Sequence, residues 1–266
     1  MAALDFLQLH SMTGLWILGL MTTLWIISLI LKDSSIVDIF WGAGFVLSAW
    51  VAFFNTLDSL GPRDWLVVGL VTIWGLRLSI HILIRNWGKG EDFRYVKMRE
   101  ENGPQWWWKS FFKVFLLQGL LMWIVAVPLT SVQNPAAQDT LGLFDFLALA
   151  LWLFGFYFEA FGDAQLTRFK ANPENKGKVL QTGVWRYTRH PNYFGDSAQW
   201  WAYYLLTLAA GGWWTIFSPI LMTLLLVRVS GVALLEKTLT KTKPGYEEYV
   251  NRTSAFIPWF PKSKEE

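Results

Sequence analysis

The chain has 266 residues, 53% hydrophobic, 17% aromatic and 16% charged, with 18 Trp and no Cys. So apolar a composition excludes an ordinary soluble domain, and the absence of Cys excludes disulfides, thiolate catalysis, Fe–S clusters and thiolate metal sites. The formal net charge of +3 is too modest for a nucleic-acid partner, and the scattered His10, His81 and His190 form no metal-binding spacing.

Apolar runs of membrane length predict spans at 13–31, 36–54, 65–84, 111–131, 141–161, 193–210 and 213–235. The expected fold is all-α: a polytopic membrane protein with seven transmembrane helices. The first run has no basic flank or small-residue cleavage site, so it reads as a retained span. Loop 85–110 carries Arg85, Lys89, Arg94, Lys97, Arg99 and Lys109. Loop 162–192 carries Arg168, Lys170, Lys176, Lys178, Arg186 and Arg189, whereas the opposite side carries Arg63 alone. This bias predicts an outside N-terminus and a cytosolic C-terminus.

Punctuation between the spans is short, and no repeat or low-complexity tract appears, so one domain covering 1–266 is expected. Gly103-Pro104 precedes Trp106, Trp107 and Trp108, a triplet suited to seating the next helix at headgroup level. Asn134-Pro135 and Gly211-Gly212 predict turns. The tail Lys243–Tyr249 predicts a turn and a short amphipathic helix. After it, Ile257-Pro258-Trp259-Phe260 is expected to fold back on the cytosolic face. Residues 262–266 fit a K-x-K-x-x retrieval pattern, while a bacterial inner membrane suits the rest equally well.

Ionisable groups inside spans are costly and tend to be functional. Asp38, Arg77, Glu159, Asp163, Asp196, Arg228 and Glu236 are of this kind, and most lie toward the predicted inner face. Helical spacing puts Glu159, Asp163 and Lys170 on one face, and Arg77, His81 and Arg85 on another. An interhelical ion pair accounts equally well for any single one of them.

The stretch 181–200, QTGVWRYTRHPNYFGDSAQW, interleaves Arg186, Arg189 and His190 with Trp185, Tyr187 and Tyr193. Guanidinium forks match phosphate, and aromatic faces stack on a flat ring, so this segment suits a large anionic nucleotide.

RHPNYFG (189–195) resembles the signature of the steroid 5α-reductase superfamily, especially its short bacterial-type members. Sterol reductases and isoprenylcysteine carboxyl methyltransferases carry a related string. Further pieces of the resemblance are SIVDIFWG (35–42), WGLRLS (74–79), RN-x-GKGEDFRY (85–95), DAQLTRFK (163–170) and NKGK (175–178). EDFRY and DAQLTRFK favour the reductase branch. The resemblance implies an integral-membrane, NADPH-dependent reductase of an activated C=C bond, such as the Δ4 bond of a 3-oxo steroid or similar polycyclic enone. Its NADPH-binding portion would span about 140–260 and its substrate-side helices about 13–110. By the same resemblance, cofactor contacts fall on Glu159, Asp163, Lys170, Tyr187, His190, Asn192, Tyr193, Asp196, Arg228 and Glu236. Arg168, Lys176, Arg186 and Arg189 are the phosphate-binding candidates, and Arg85, Asn86, Asp92, Arg94 and Tyr95 join from the inside loop. The catalytic candidates are Asp38, Trp74 and Arg77. Asp38 aligns with the family's acid, and the position of its tyrosine partner falls on or near Trp74, so a protonated Asp38 is expected to donate directly. In-span aromatics (Trp41, Phe45, Trp50, Trp74, Trp123, Trp200, Trp201) are expected to line an apolar cavity. The expected partners are a hydrophobic small molecule and membrane lipid, with no nucleic acid and a monomeric chain. An S-adenosylmethionine-dependent lipid methyltransferase and a non-catalytic sterol-binding protein remain the alternatives.

Overall fold

The computed structural model describes residues 5–133, 140–229 and 232–262, and among them there are helices and no strands. Asn134-Pro135 and the last four residues lie outside the described set. Five helical stretches are long and apolar enough to cross a membrane: Phe6–Leu31, Ile36–Asn55, Pro62–Asn86, Phe93–Val125 and Leu143–Ala171. The chain is an integral membrane protein by this measure. Helix Pro191–Ala209 is not among the five, and the apolar stretch Trp213–Val229 is too short to count. The first of these two buries Ser197, Gln199 and Thr207 along with its apolar residues, which lowers its hydropathy.

The chain divides into two compact units. The first comprises Met1–Gly142 with Leu206–Thr215, and the second Leu143–Leu205 with Ile216–Glu266.

In the first unit, α1 (Phe6–Leu31) begins one to two turns before the predicted span. A capping box explains the early start: Asp5 accepts from the Gln8 backbone N–H, and the Gln8 side chain accepts from the Asp5 N–H. A left-handed Lys32 (φ 56°) ends the helix. Helix α2 (Ile36–Asn55) follows an Asp33–Ser35 turn, and α3 (Pro62–Asn86) starts with Pro62 in its first turn. Gly42 on α2 and Gly75 on α3 face each other so closely that a Cβ on either would strike the other's backbone carbonyl. Small residues let two membrane helices approach in this way. Asp92 caps α4 (Phe93–Asn102) by accepting from the Arg94 N–H at 2.9 Å. There follow α5 (Trp106–Ser110), a π-helical stretch (Phe111–Leu116), α6 (Leu117–Val125) and α7 (Val127–Val132). The break at Ala126 precedes Pro128, which has no N–H to continue the ladder. Trp106 is buried and donates to Ser34 Oγ at 3.2 Å, while Trp107 and Trp108 are exposed. Of that triplet, two side chains are thus placed to serve as a belt.

In the second unit, α8 (Leu143–Ala171) runs ten residues past the predicted span, carrying Asp163, Arg168 and Lys170 on the same helix as the membrane segment. Helix α9 (Pro191–Ala209) crosses it where Gly155 meets Gly195. The predicted seventh span is broken into a 3₁₀ turn (Trp213–Ile216), α10 (Phe217–Leu224), a π-helical stretch (Leu225–Val229) and α11 (Val232–Thr242). Helix α12 (Tyr246–Arg252) closes the chain before an extended tail.

Candidate functional site

The first unit holds a polar cluster around Asp38, in the first turn of α2. Arg94 Nη2 donates to Asp38 Oδ2 at 2.7 Å, and the Tyr95 hydroxyl donates to Asp38 Oδ1 at 2.6 Å. Arg94 Nε also donates to Asp92 Oδ1 at 2.9 Å. Burial pushes the Asp92 carboxyl up, but its bonds to Arg94 and the charges of Arg94 and Arg85 outweigh this and hold it below the usual carboxylate range. Gln118, two residues beyond the π-helical stretch, donates from Nε2 to the Tyr95 oxygen at 3.1 Å. That bond takes a phenol lone pair and commits the single O–H to Asp38.

The sequence left Asp38 as a protonated donor. In the structure each Asp38 oxygen lies within hydrogen-bond distance of a donor, one of Arg94 and one of Tyr95. The aligned Trp74 is fully buried on α3 and packs on Phe45 of α2, at 5.8 Å between ring centroids. Arg77 is half-buried on the same helix, Arg85 is exposed, and Arg85 Nε donates to Asn86 Oδ1 at 3.2 Å. A second ion pair, unforeseen in the sequence, braces the cluster: Arg99 bonds Glu91 at 2.8 and 3.0 Å, and Glu91 accepts from the Ser34 N–H at 2.6 Å. Both partners of Asp38 and Glu91 itself fall in the EDFRY string, which was the available signal.

An apolar groove of about 380 Å³ also lies in this unit, between α1 (Ser11 to Met21) and residues Leu116–Trp123. Of the aromatics expected to line a cavity, Trp123 alone lines this groove. Phe45, Trp74 and Trp200 are instead core side chains, fully buried.

The second unit assembles the RHPNYFG segment from both sides. Gly183 takes φ +63°, a conformation that favours glycine, with the Gln165 side chain packed against it. Gln165 Oε1 accepts from the Val184 N–H at 3.1 Å, and the Trp185 indole donates to the Gly162 carbonyl at 3.0 Å. On α8, Asp163 accepts from the Asn192 amide at 3.1 Å, and Glu159 accepts from the Gln199 amide at 2.6 Å. Both carboxylates are buried, as is Asp196.

Arg189, a phosphate-binding candidate by the resemblance, and His190, a cofactor contact by the same resemblance, are both buried and engage Glu236 within the second unit. Arg189 is 7% exposed and donates to Glu236 Oε1 at 2.7 Å and to the Val250 and Thr253 carbonyls at 3.0 and 2.5 Å. His190 Nε2 shares the same Glu236 oxygen at 3.2 Å and stacks on Tyr193. Burial pushes the His190 imidazole below its usual value, against the opposing pull of Glu236. Burial alone would raise the Glu236 carboxyl, yet its bonds to Arg189 and His190 bring it down overall. The Tyr249 hydroxyl donates to the Trp185 carbonyl, and burial drives that phenol up. The tail therefore does fold back, and it does so onto residues 185–189. Arg168, Lys170, Lys176 and Arg186 are exposed, Tyr187 is half-buried, and Arg228 lies exposed in the second π-helical stretch.

The chain is 26% identical over 288 residues to an uncharacterized protein of Schizosaccharomyces pombe, covering 96% of this chain and 83% of the relative. No solved structure matches it. Residues 24–253 match the family described as a protein of unknown function (DUF1295), and the chain belongs to that family.

Proposed function

We propose that this protein is a membrane-embedded, NADPH-dependent reductase of the steroid 5α-reductase type. Its substrate class is the activated C=C bond of a 3-oxo steroid or similar polycyclic enone. The observation that carries the reading is the Asp38–Tyr95 pair, a phenol O–H donor backed by a carboxylate and held by Arg94 and Gln118. We further propose seven membrane crossings with an outside N-terminus and the cofactor site facing the cytosol, supported by the one-sided Lys and Arg distribution.

The second unit offers a donor set that fits a phosphorylated dinucleotide. Arg168, Lys176 and Arg186 are exposed cations for pyrophosphate and 2′-phosphate, and Tyr187 with the Asp163–Asn192 pair offers hydrogen bonds to ribose or amide groups. Bound NADPH would supply the hydride for the enone β-carbon. Tyr95 would turn its O–H from Asp38 to the carbonyl oxygen and stabilise the charge that develops there. Arg94 holds Asp38 in place, and the Gln118 amide, by donating to the phenol oxygen, fixes the direction in which the Tyr95 O–H points. Water or the phenol would then protonate the α-carbon.

Detergent-purified protein, incubated with NADPH and progesterone, is expected to give a product heavier by two hydrogens. Tyr95→Phe is expected to lower turnover by about 100-fold while leaving NADPH affinity unchanged. Binding of S-adenosylmethionine with no binding of NADPH would overturn the reading.

A further inference from the structure

Residues 253–260 leave the helices and run as an extended strap whose backbone is tied to the RHPNYFG segment. The Arg189 N–H donates to the Ser254 carbonyl at 2.9 Å, the Thr188 hydroxyl to the Phe256 carbonyl at 2.8 Å, and the Trp259 N–H to the Tyr187 carbonyl at 2.9 Å. Held in this way, the strap turns Phe256 inward onto Phe194. It turns three large apolar groups outward: Ile257, Trp259 and Phe260 are 67%, 71% and 76% exposed. Burying each from water is worth about 1.5–3 kcal/mol.

The other side of the strap indicates what covers them. Phe256 packs on Phe194 of α9 at 5.9 Å between ring centroids. Phe194 in turn packs on Phe154 and Phe158 of α8 at 5.9 and 5.5 Å. Helix α8 is of membrane-spanning length and leaves Leu153, Phe154, Tyr157 and Phe161 exposed along this stretch. At 1.5 Å per residue, Phe158 lies about 22 Å along α8 from Leu143. A hydrocarbon layer of about 30 Å counted from that end therefore reaches the level of the strap. Through Phe256 and Phe194 the strap is tied to the apolar side of α8, and it is flanked by Arg252 and Lys262, the Lys262 N–H donating to the Arg252 carbonyl at 3.0 Å. An aromatic and aliphatic cluster beside Lys and Arg is the composition that seats at the boundary of headgroups and acyl chains.

We propose that the strap Ala255–Phe260 is a membrane-interface anchor. Ile257, Trp259 and Phe260 seat among the lipids, and the backbone bonds to Tyr187, Thr188 and Arg189 fix that segment at the depth of the bilayer surface. The anchor is independent of the reductase reading.

Because the chain has no Cys, Ile257→Cys and Phe260→Cys each carry a single thiol for an environment-sensitive fluorophore. The full-length labelled protein is placed in nanodiscs of phosphatidylcholine and phosphatidylglycerol, with nitroxide lipids bearing the spin label near the headgroup or at mid-bilayer. Both positions are expected to give blue-shifted emission, quenched more strongly by the shallow nitroxide. A label at Glu174→Cys, in an exposed turn, is expected to stay unquenched. Water-like, unquenched emission at 257 and 260 would overturn the anchor. Blue-shifted emission without quenching would overturn it too, and would point to a protein covering the strap. Ile257 and Phe260 are both exposed, Phe260 meeting the Tyr187 ring edge-on at 5.9 Å between centroids, and should one substitution disturb folding, the other carries the test.

Discussion

Arg189 and Glu236, 47 positions apart, form an ion pair at 2.7 Å that closes the C-terminal tail over the RHPNYFG segment. The guanidinium is buried, and its Nη1 donates to the Val250 and Thr253 carbonyls, so Nε and Nη1 are both engaged within the second unit. Removing the guanidinium leaves Glu236 without its charge partner, and because Glu236 is 25% exposed the cost falls below the figure of about 3–5 kcal/mol for a fully buried pair. Arg189→Ala is therefore expected to lower the melting temperature and to open the tail to trypsin near Arg252 and Lys262. A tail that stays protected in Arg189→Ala would remove the clasp from the account.

The same cluster gives a pH dependence with a definite sign. His190 is held below its usual 6.5 by burial, so in acid the unfolded chain binds a proton the folded chain refuses. Its contribution is fully present above pH 6.5 and is lost as pH falls through the lower folded value. Glu236, held below its usual 4.5, acts in the same direction further down: its contribution is present above 4.5 and lost as pH falls through its folded value. Thermal melts between pH 7.5 and pH 5 are expected to show falling stability in the parent protein and a flatter profile in His190→Gln. Parallel profiles would assign the acid sensitivity elsewhere.

Gly195 tests the crossing that positions Asn192 and Asp196. A Cβ there would meet the Glu159 backbone N at 2.5 Å and the Glu159 Cβ at 2.7 Å, and would strike the Gly155 carbonyl. Gly195→Ala is expected to cost about 1–3 kcal/mol through helix separation. Gly69→Ala, on an exposed face of α3 with nothing within 4 Å, is expected to be neutral or stabilising by up to about 1 kcal/mol. Melting temperatures of the two variants measure the contrast.

Gln118 gives a test of the first unit that does not depend on removing the phenol. Losing one hydrogen bond to the Tyr95 oxygen is worth about 1 kcal/mol, or roughly five-fold in rate. On the reductase reading, Gln118→Leu is expected to lower kcat by that factor, with KM for NADPH unchanged and partial rescue in Gln118→Asn. Equal losses in kcat and NADPH binding would make Gln118 a packing residue only.

What the sequence could and could not reveal follows from the range of each signal. Hydropathy reports unbroken apolar runs, so the first five membrane segments were legible. It does not report the π-helical turn at Leu225–Val229, nor that Ser197, Gln199 and Thr207 of α9 are buried. Asp38 stood out as an acid inside a span, but its partner Tyr95 lies 57 residues away on α4, beyond the reach of periodicity. Alignment offered Trp74, a core indole. In RYTRHP the two arginines look equivalent, because the string encodes charge but not burial. The tail decides between them by covering Arg189 and leaving Arg186 exposed.

That division of labour makes the last prediction. Arg186 is exposed and suited to a phosphate, whereas Arg189 is occupied by Glu236 and the tail carbonyls. Arg186→Ala is expected to weaken NADPH binding by about ten-fold, the loss of one charge-assisted contact worth about 1.5–3 kcal/mol in full. It is expected to weaken NADH less, because NADH lacks the 2′-phosphate, and to leave the melting temperature unchanged. Arg189→Lys should show the reverse, since an ammonium keeps the charge but loses the planar fork that reaches Glu236 and two carbonyls at once. Its melting temperature should fall, and its NADPH affinity should change only as far as the folded fraction does. Calorimetric titration of both variants with NADPH and NADH, beside their melts, separates the two roles. Loss of NADPH affinity in Arg189→Lys at full stability would return Arg189 to the nucleotide site.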